Sequence, residues 1–485
     1  MTRLTLLLAA ALVAAPLAAQ EKPAEKAPAR PQGMSLFQPV KPYANAANQL
    51  IQEIADKGEA LKNLEEMCDS IGPRLTGSEQ LRKAQAWAMD KLKAYGAENV
   101  HEEAYAFGKP WHRGVSRARL MNANGQSLNV AQMAWTEGTK GVLKGEVAVL
   151  EAKTLDELKA AAPSLHGKIV LLASQPRPTP EQRKNMEAYF AEFTKAMGEA
   201  RMACVLMTSD KKDDLQNMTG SPEGRFRFNV PTAFIAQEHT ALLKRLMARG
   251  QKPALEIELT GRFGEKEVQA YNVVGELRGS EKPEEVVIVG GHQDSWDLST
   301  GATDNGTGTV AAMEVLRAMK ALGLKPKRTL RVVLFSGEEQ GLLGSRAYVK
   351  AHEAELKDVQ AVLIDDLGSG RIKGFIDMGV EAWRGPLATA MAGANGIGAV
   401  ELPAAIMPGA TDHWPFFQKG VPGFAAIQEP LDYFTHTHHS QVDSFDHVVK
   451  EDLLQGTQVM AVTAWGLLNG ERLAHQAPME GRGGH

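Results

Sequence analysis

Three short apolar runs, at residues 286–290, 329–335 and 359–364, alternate with stretches of helical periodicity at 307–322 and 342–352. A strand that is apolar at nearly every position must be covered on both faces, which antiparallel hairpins seldom achieve and crossover helices do. The regularity continues with a helix at 386–394, another after Thr411, an apolar piece at 424–427 and a final helix at 451–468. This pattern predicts an α/β fold, with a mixed, mostly parallel sheet and helices on both faces. Such sheets gather ligands at the carboxyl ends of their strands.

The remainder of the 485 residues divides by texture. With 44% hydrophobic and 23% charged residues the chain is globular and long enough for two or three domains. Residues 1–20 hold one basic residue, Arg3, an apolar run over 4–15, Pro16 and the small pair Ala18 and Ala19. That is the layout of a secretory signal cleaved near residues 19–21, and the run is too short for a membrane span, which needs about 20 apolar residues. A secreted or periplasmic protein without a membrane partner is the expectation. Residues 21–42, rich in Pro, Ala and charge, read as a linker. Apolar steps at Leu50, Ile51, Ile54, Leu61 and Leu64, then at Leu81, Ala84, Ala88, Leu92 and Tyr95, predict two helices, with Ser78 capping the second. Residues 113–261 carry β-rich pieces at 142–150, 168–173, 202–207 and 255–259 and helical stretches at 181–199 and 238–249, with no metal-ligand spacing. They are expected to form an inserted domain between two parts, 43–112 and 262–472, of the domain that holds the chemistry, and 473–485 to form a flexible tail. The net charge of -4 becomes -5 when Arg3 leaves with the signal. No dense Lys/Arg block is present, so nucleic acid is not an expected partner. Cys68 and Cys204 both lie in apolar company and read as buried small hydrophobes, with a single disulfide as the alternative.

The chemistry is carried by side chains at or just after the apolar runs. His292 closes the first, and Asp294 two residues on can take the other ring N–H and fix the tautomer. Asp304 follows in a glycine-rich loop, Gly301-Ala302-Thr303-Asp304-Asn305-Gly306-Thr307-Gly308, where alone it would pass for a helix cap. A phosphate cradle fits this loop poorly, because no Lys follows the glycines. Glu338 and Glu339 follow the second run; neighbouring residues of an extended chain point opposite ways, so one can coordinate while the other faces substrate. Asp365 and Asp366 close the third run, and Asp366 is the preferred ligand. In the late loop His436, His438 and His439 stand close together, and His439 has Asp443 four residues on as an orienting partner.

His292, Asp304, Glu338, Glu339, Asp366 and His439 together offer nitrogen and oxygen ligands for two divalent ions, with Asp304 able to bridge them. Paired ions of this kind typically lie about 3.5–4 Å apart, polarise a carbonyl and activate water. Two distant cysteines exclude thiolate sites, and this donor set suits zinc best, with cobalt and manganese open.

The strings at 71–78 (IGPRLTGS), 292–308 (HQDSWDLSTGATDNGTG), 327–330 (KRTL), 338–341 (EEQG), 366–368, 420–423 (GVPG) and 439–443 resemble metallopeptidase family 28, the co-catalytic zinc exopeptidases. The resemblance spans residues 45–470. It implies a phosphorylase/hydrolase-like zinc peptidase domain with a protease-associated α+β domain inserted at 113–261. It further implies two Zn2+ per chain, one held by His292, Asp304 and Asp366 and the other by Asp304, Glu339 and His439, with Glu338 as general base. Family members carry an acid after the bridging Asp across a cis peptide; here that residue is Asn305, and a cis bond between Asp304 and Asn305 is the corresponding expectation. The implied activity is hydrolysis of dipeptides or short peptides from a chain end, by a carboxypeptidase-like dipeptidase. An aminopeptidase, a one-zinc glutaminyl cyclase and an inactive binding protein on the same scaffold are the rivals. The family analogy leaves a homodimer open. Trp296, Trp414 and Tyr433 are candidates for lining a specificity pocket, while Asp412 and His413 read as a helix start.

Overall fold

The computed structural model describes residues 41–174, 176–222 and 229–479. The expected signal, the linker up to residue 40 and residues 480–485 lie outside the described residues.

Seven strands form the main sheet: β1 (Glu98–Gly108), β2 (Val268–Leu277), β3 (Lys282–His292), β4 (Arg328–Phe335), β5 (Val359–Ile364), β6 (Ile372–Phe375) and β7 (Gly423–Gln428). Their order is β1-β2-β4-β3-β5-β7-β6. The four inner strands β4, β3, β5 and β7 run parallel, while β1, β2 and β6 pair antiparallel at the two edges. Alternation with period two sends Val287, Val289, Leu330, Val332, Leu334, Ala361 and Leu363 to one face. Val286, Ile288, Val333, Phe335, Val362 and Ile364 go to the other. On the first face pack the helices Lys41–Lys57, Thr307–Ala321 and Lys450–Asn469, and on the second Leu343–Ala351 and His413–Gln418. Both faces are therefore dry, as the unbroken apolar runs require.

Register sets the site. His292 pairs opposite Phe335, and Gly290 lies level with Ile364, so β3, β4 and β5 end together and the polar residues after each tip converge.

A second, eight-stranded sheet is built entirely from residues 116–259, with parallel central strands Leu143–Glu151, Ile169–Ser174, Cys204–Thr208 and Thr232–Ile235. The helix Met186–Glu199 packs on one face through Tyr189, Phe193 and Met197, and Gln237–Ala248 on the other through Leu243 and Leu246.

Several local expectations need correction. Helix begins at Lys41, inside the stretch read as linker. Residues 473–479, read as tail from their composition, are docked: Leu473 is 1% exposed, Gln476 N–H donates to Gly420 O at 2.8 Å and Met479 N–H to Gln418 O at 2.9 Å. Leu473 and Met479 against the core, these backbone bonds, and side-chain bonds from Trp383 Nε1 to Ala474 O and between His475 Nε2 and Val359 O, both at 2.7 Å, hold this segment, a pattern too short to show as periodicity. The thiols of Cys68 and Cys204 are free and buried, which removes the disulfide alternative, and burial pushes them up to about 11 and about 12 respectively.

Candidate metal centre

Asp304 is the centre of the cluster. Its Oδ1 lies 3.3 Å from His292 Nε2 and its Oδ2 3.4 Å from His439 Nε2, so one buried carboxylate faces two imidazoles that are 147 residues apart in the chain. Asp366 Oδ1 lies 3.1 Å from His292 Nε2, Glu338 Oε2 3.8 Å from the same atom, and Glu339 Oε2 2.9 Å from His439 Nε2. The six side chains singled out in the sequence thus meet in one place, with Glu338 turned to the His292 half and Glu339 to the His439 half. Of the acidic pair after β5, Asp366 faces the cluster, while Asp365 gives its backbone carbonyl to the Asn305 amide at 2.8 Å.

Each ligand candidate is positioned by its surroundings. The peptide between Asp304 and Asn305 is cis, and Asn305 Oδ1 accepts from Gly308 N–H at 2.9 Å while its Nδ2 donates to Asp365 O. A carboxylate at position 305 could not make the second bond, which accounts for the amide there. Gly308 allows this close approach, since a Cβ would stand 2.1 Å from Asp365 O. His292 Nδ1 meets the backbone carbonyl of Asp294 at 3.0 Å and its carboxylate at 3.5 Å, which suits an orienting partner. Asp294 is in turn held by the Thr76 hydroxyl at 2.9 Å.

Asp443 departs from expectation. Its carboxylate does not orient His439; it accepts from Thr303 N–H at 2.7 Å, the Thr303 hydroxyl at 2.8 Å and Asp304 N–H at 3.1 Å. His439, with φ of 54°, is held through its own backbone, which accepts from Met218 N–H at 2.8 Å. Four-residue spacing in a loop does not fix direction as it does on a helix, so the proximity of Asp443 in sequence was misleading.

Two contributors lie in stretches the sequence marks, the 71–78 string and the late histidine cluster, but their roles are not legible there. Arg74 is fully buried and its guanidinium donates to Gln293 O at 2.7 Å, Thr300 O at 2.5 Å and Gly301 O at 2.8 Å, clamping the loop between His292 and Asp304. His438 Nε2 lies 4.0 Å from Asp304 Oδ2, its ring stacked on that of His439 at 3.7 Å. Spacing alone does not separate these adjacent imidazoles; His439 is the nearer to both Asp304 and Glu339. The three aromatic candidates are mostly buried, at 5% exposure for Trp296, 3% for Trp414 and 4% for Tyr433. Trp296 reaches the centre, edge-on to His439 at 5.9 Å. Asp412 precedes the helix His413–Gln418 without capping it; it is wholly buried, and neither of its oxygens closes a hydrogen bond of ordinary length.

Electrostatics show what the cluster lacks. Burial pushes Asp304 up, yet the His292 hydrogen bond and the His439 and His438 charges outweigh it and hold Asp304 well below the usual carboxylate range. Burial, reinforced by neighbouring carboxylates, drives Glu338 and Glu339 well above it. Among the described residues no Lys or Arg pairs with Asp304, Glu338, Glu339 or Asp366. Asp304 Oδ2 and Glu339 Oε1 are buried without a hydrogen-bond partner, a costly arrangement unless a cation completes it. The donor atoms of His292, Asp304 and Asp366 lie within 4.8 Å of one another, as do those of Asp304, His438 and His439. The residues present therefore fit divalent metal.

A buried set of carboxylates and imidazoles at the carboxyl edge of a doubly covered α/β sheet defines a metal-dependent hydrolase. Comparison with known proteins narrows the class. The model of peptidase family M28 matches residues 272–464. Carboxypeptidase Q of Bos taurus is 30% identical over 402 residues, covering 82% of this chain and 83% of that protein. The solved peptidase M28 precursor of Shewanella amazonensis is 29% identical with a TM-score of 0.79, covering 91% of this chain and all of its own. A zinc aminopeptidase of Bacillus subtilis, 21% identical with a TM-score of 0.63, covering 85% of this chain and 95% of its own, shares the fold. The chain belongs to peptidase family M28 and is a metallo-exopeptidase.

Proposed function

We propose that this protein is a secreted di-zinc exopeptidase that hydrolyses dipeptides or short peptides, in the manner of a carboxypeptidase Q-like dipeptidase. The observation that carries the reading is the placement of Asp304, whose two oxygens each face a different imidazole while one of them has no hydrogen-bond partner. One ion would be held by His292, Asp304 and Asp366 and the other by Asp304, Glu339 and His439. Bound zinc supplies Lewis acidity, polarising the scissile carbonyl and making water nucleophilic near neutral pH.

The protein's own groups do the rest. Glu338 stands beside His292, and its burial among carboxylates raises its affinity for a proton, as suits a base that takes one from the attacking water and returns it to the departing amine. Asp294 fixes the ring of His292, Asp443 and Asn305 fix the loop that presents Asp304, and Arg74 ties down the chain between them. Residues 113–261 are read as an inserted protease-associated domain whose segment 209–222 borders the site through Met218 and through Gln216, whose N–H donates to Gln441 Oε1 at 2.7 Å. Secretion rests on the signal-like layout of residues 1–20. No described helix is long and apolar enough to cross a membrane.

Metal analysis combined with a dipeptide panel tests the reading. Two zinc ions per chain are expected, with cleavage of both free and N-acylated dipeptides. Rejection of every N-blocked substrate would reassign the enzyme as an aminopeptidase, and one ion per chain would remove the bridging role of Asp304.

A further inference from the structure

Lys211 lies in the segment between the strands Cys204–Thr208 and Thr232–Ile235, and it is 5% exposed. Its ammonium donates to the backbone carbonyl of Phe434 at 3.1 Å, within the loop that carries His438 and His439. Among the described residues no carboxylate lies within 4 Å of it, and it makes no other side-chain hydrogen bond. Burying a cation without a counter-charge is expensive, and proteins retain such a group where an anion completes it. The charge of Lys211 is felt at the metal centre. Burial lowers the pKa of its ammonium, the charges of the adjacent Asp210 and of Asp304 raise it, and its own charge adds to burial in lowering His438 and His439. Asp304, Glu339 and Asp366 are committed to metal and Asp210 is exposed to water, so none of them closes an ion pair with it.

We infer that Lys211 receives the free C-terminal carboxylate of the substrate and so sets the preference for cleaving the last peptide bond. The assignment rests on the exopeptidase reading above. An ammonium held against the loop that carries His438 and His439 can fix where a peptide must end. A scissile carbonyl over the metals then places the carboxylate of the departing residue on the Lys211 side. A chain that continues, or ends in a neutral amide, leaves the buried cation uncompensated and loses a charge-assisted bond. The competing role for Lys211, pinning the loop through Phe434 O, would affect all substrates alike.

The test compares kcat/KM for an N-acylated alanyl-alanine dipeptide and for its C-terminal amide, using the zinc-loaded full chain. Wild type is expected to prefer the free acid by roughly 10- to 100-fold, the worth of one hydrogen bond to a charged group. Lys211→Met should bring that ratio close to one, chiefly through KM, and Lys211→Arg should keep most of it. A third substrate, the amide of an N-acylated alanyl-glutamate, distinguishes a terminal from a side-chain carboxylate. If Lys211→Met changes only the response to the glutamate side chain, the assignment is overturned. Equal rates of wild type on acid and amide also overturn it and leave the exopeptidase reading intact, an outcome that does not depend on the variant folding. No turnover of any peptide by zinc-loaded wild type overturns both.

Discussion

Replacing Asp443 by alanine separates its observed role from the one its sequence position suggests. The carboxylate satisfies three donors, of which the Thr303 hydroxyl keeps a second partner in Thr437 Oγ1 at 2.9 Å. The backbone N–H groups of Thr303 and Asp304 would be left buried and unpaired, at about 1–3 kcal/mol each, or about 2–6 kcal/mol together. For a unit of this size that corresponds to a fall of several degrees in Tm. Because the freed loop presents Asp304, zinc affinity should fall by one or more orders of magnitude as well. Thermal unfolding of the chelated protein reads the first effect without the metal, and zinc titration against a competing chelator reads the second. Asp443→Asn, which retains one acceptor oxygen, should fall between. If the chelated Asp443→Ala protein melts with wild type and only the metal-loaded form suffers, Asp443 acts through the metal ligands, and the account of it as a hook on the Asp304 loop is wrong.

Other outcomes follow from the same geometry. Glu338→Ala should retain zinc near the wild-type level while turnover drops by about 100- to 10,000-fold, as for the loss of a general base; undiminished turnover would remove it from that role. Glu103 and His352 pair at 2.9 Å: burial raises Glu103 but the His352 hydrogen bond and charge outweigh it and lower it, while His352 is raised chiefly by its bond to Glu103. The lowered acid contributes above its unfolded value of about 4.3 and the raised imidazole below its unfolded value of about 6.5, so the pair stabilises most between these. Glu103→Gln should therefore lower Tm most near pH 5–6 and progressively less toward pH 8.5, and a pH-independent difference would contradict the pairing. Leu473→Ala, at a position 1% exposed in the main core, should cost about 2–5 kcal/mol, read by denaturant midpoint; a change below 0.5 kcal/mol would mean the segment is not docked in solution.

What was legible in the sequence was whatever burial writes into local pattern. Strands β3, β4 and β5 lie inside the sheet, must be apolar on both faces, and so stood out as unbroken runs whose polar successors mark the site. The edge strand β1 did not: it is largely exposed or half-buried, and its polar residues hide the alternation. The choice of Asp366 over Asp365 agrees with which carboxylate faces His292, because β-strand alternation leaves one of two neighbours facing the cluster.

Long-range partnership was a different matter. That Asp443 holds Thr303 and Asp304 instead of His439, that Arg74 clamps carbonyls more than 200 residues away, and that Lys211 and Met218 meet the histidine loop are facts of how distant segments are brought together. Chain periodicity records how much of a residue is covered and on which side. It carries no record of which group covers it, since a hydrogen bond depends on the final position of two atoms and is indifferent to the length of chain between them. The sequence by itself thus determined the layered α/β architecture and which acidic and imidazole side chains would cluster at the strand tips, while only the tertiary structure decided what holds those side chains in place.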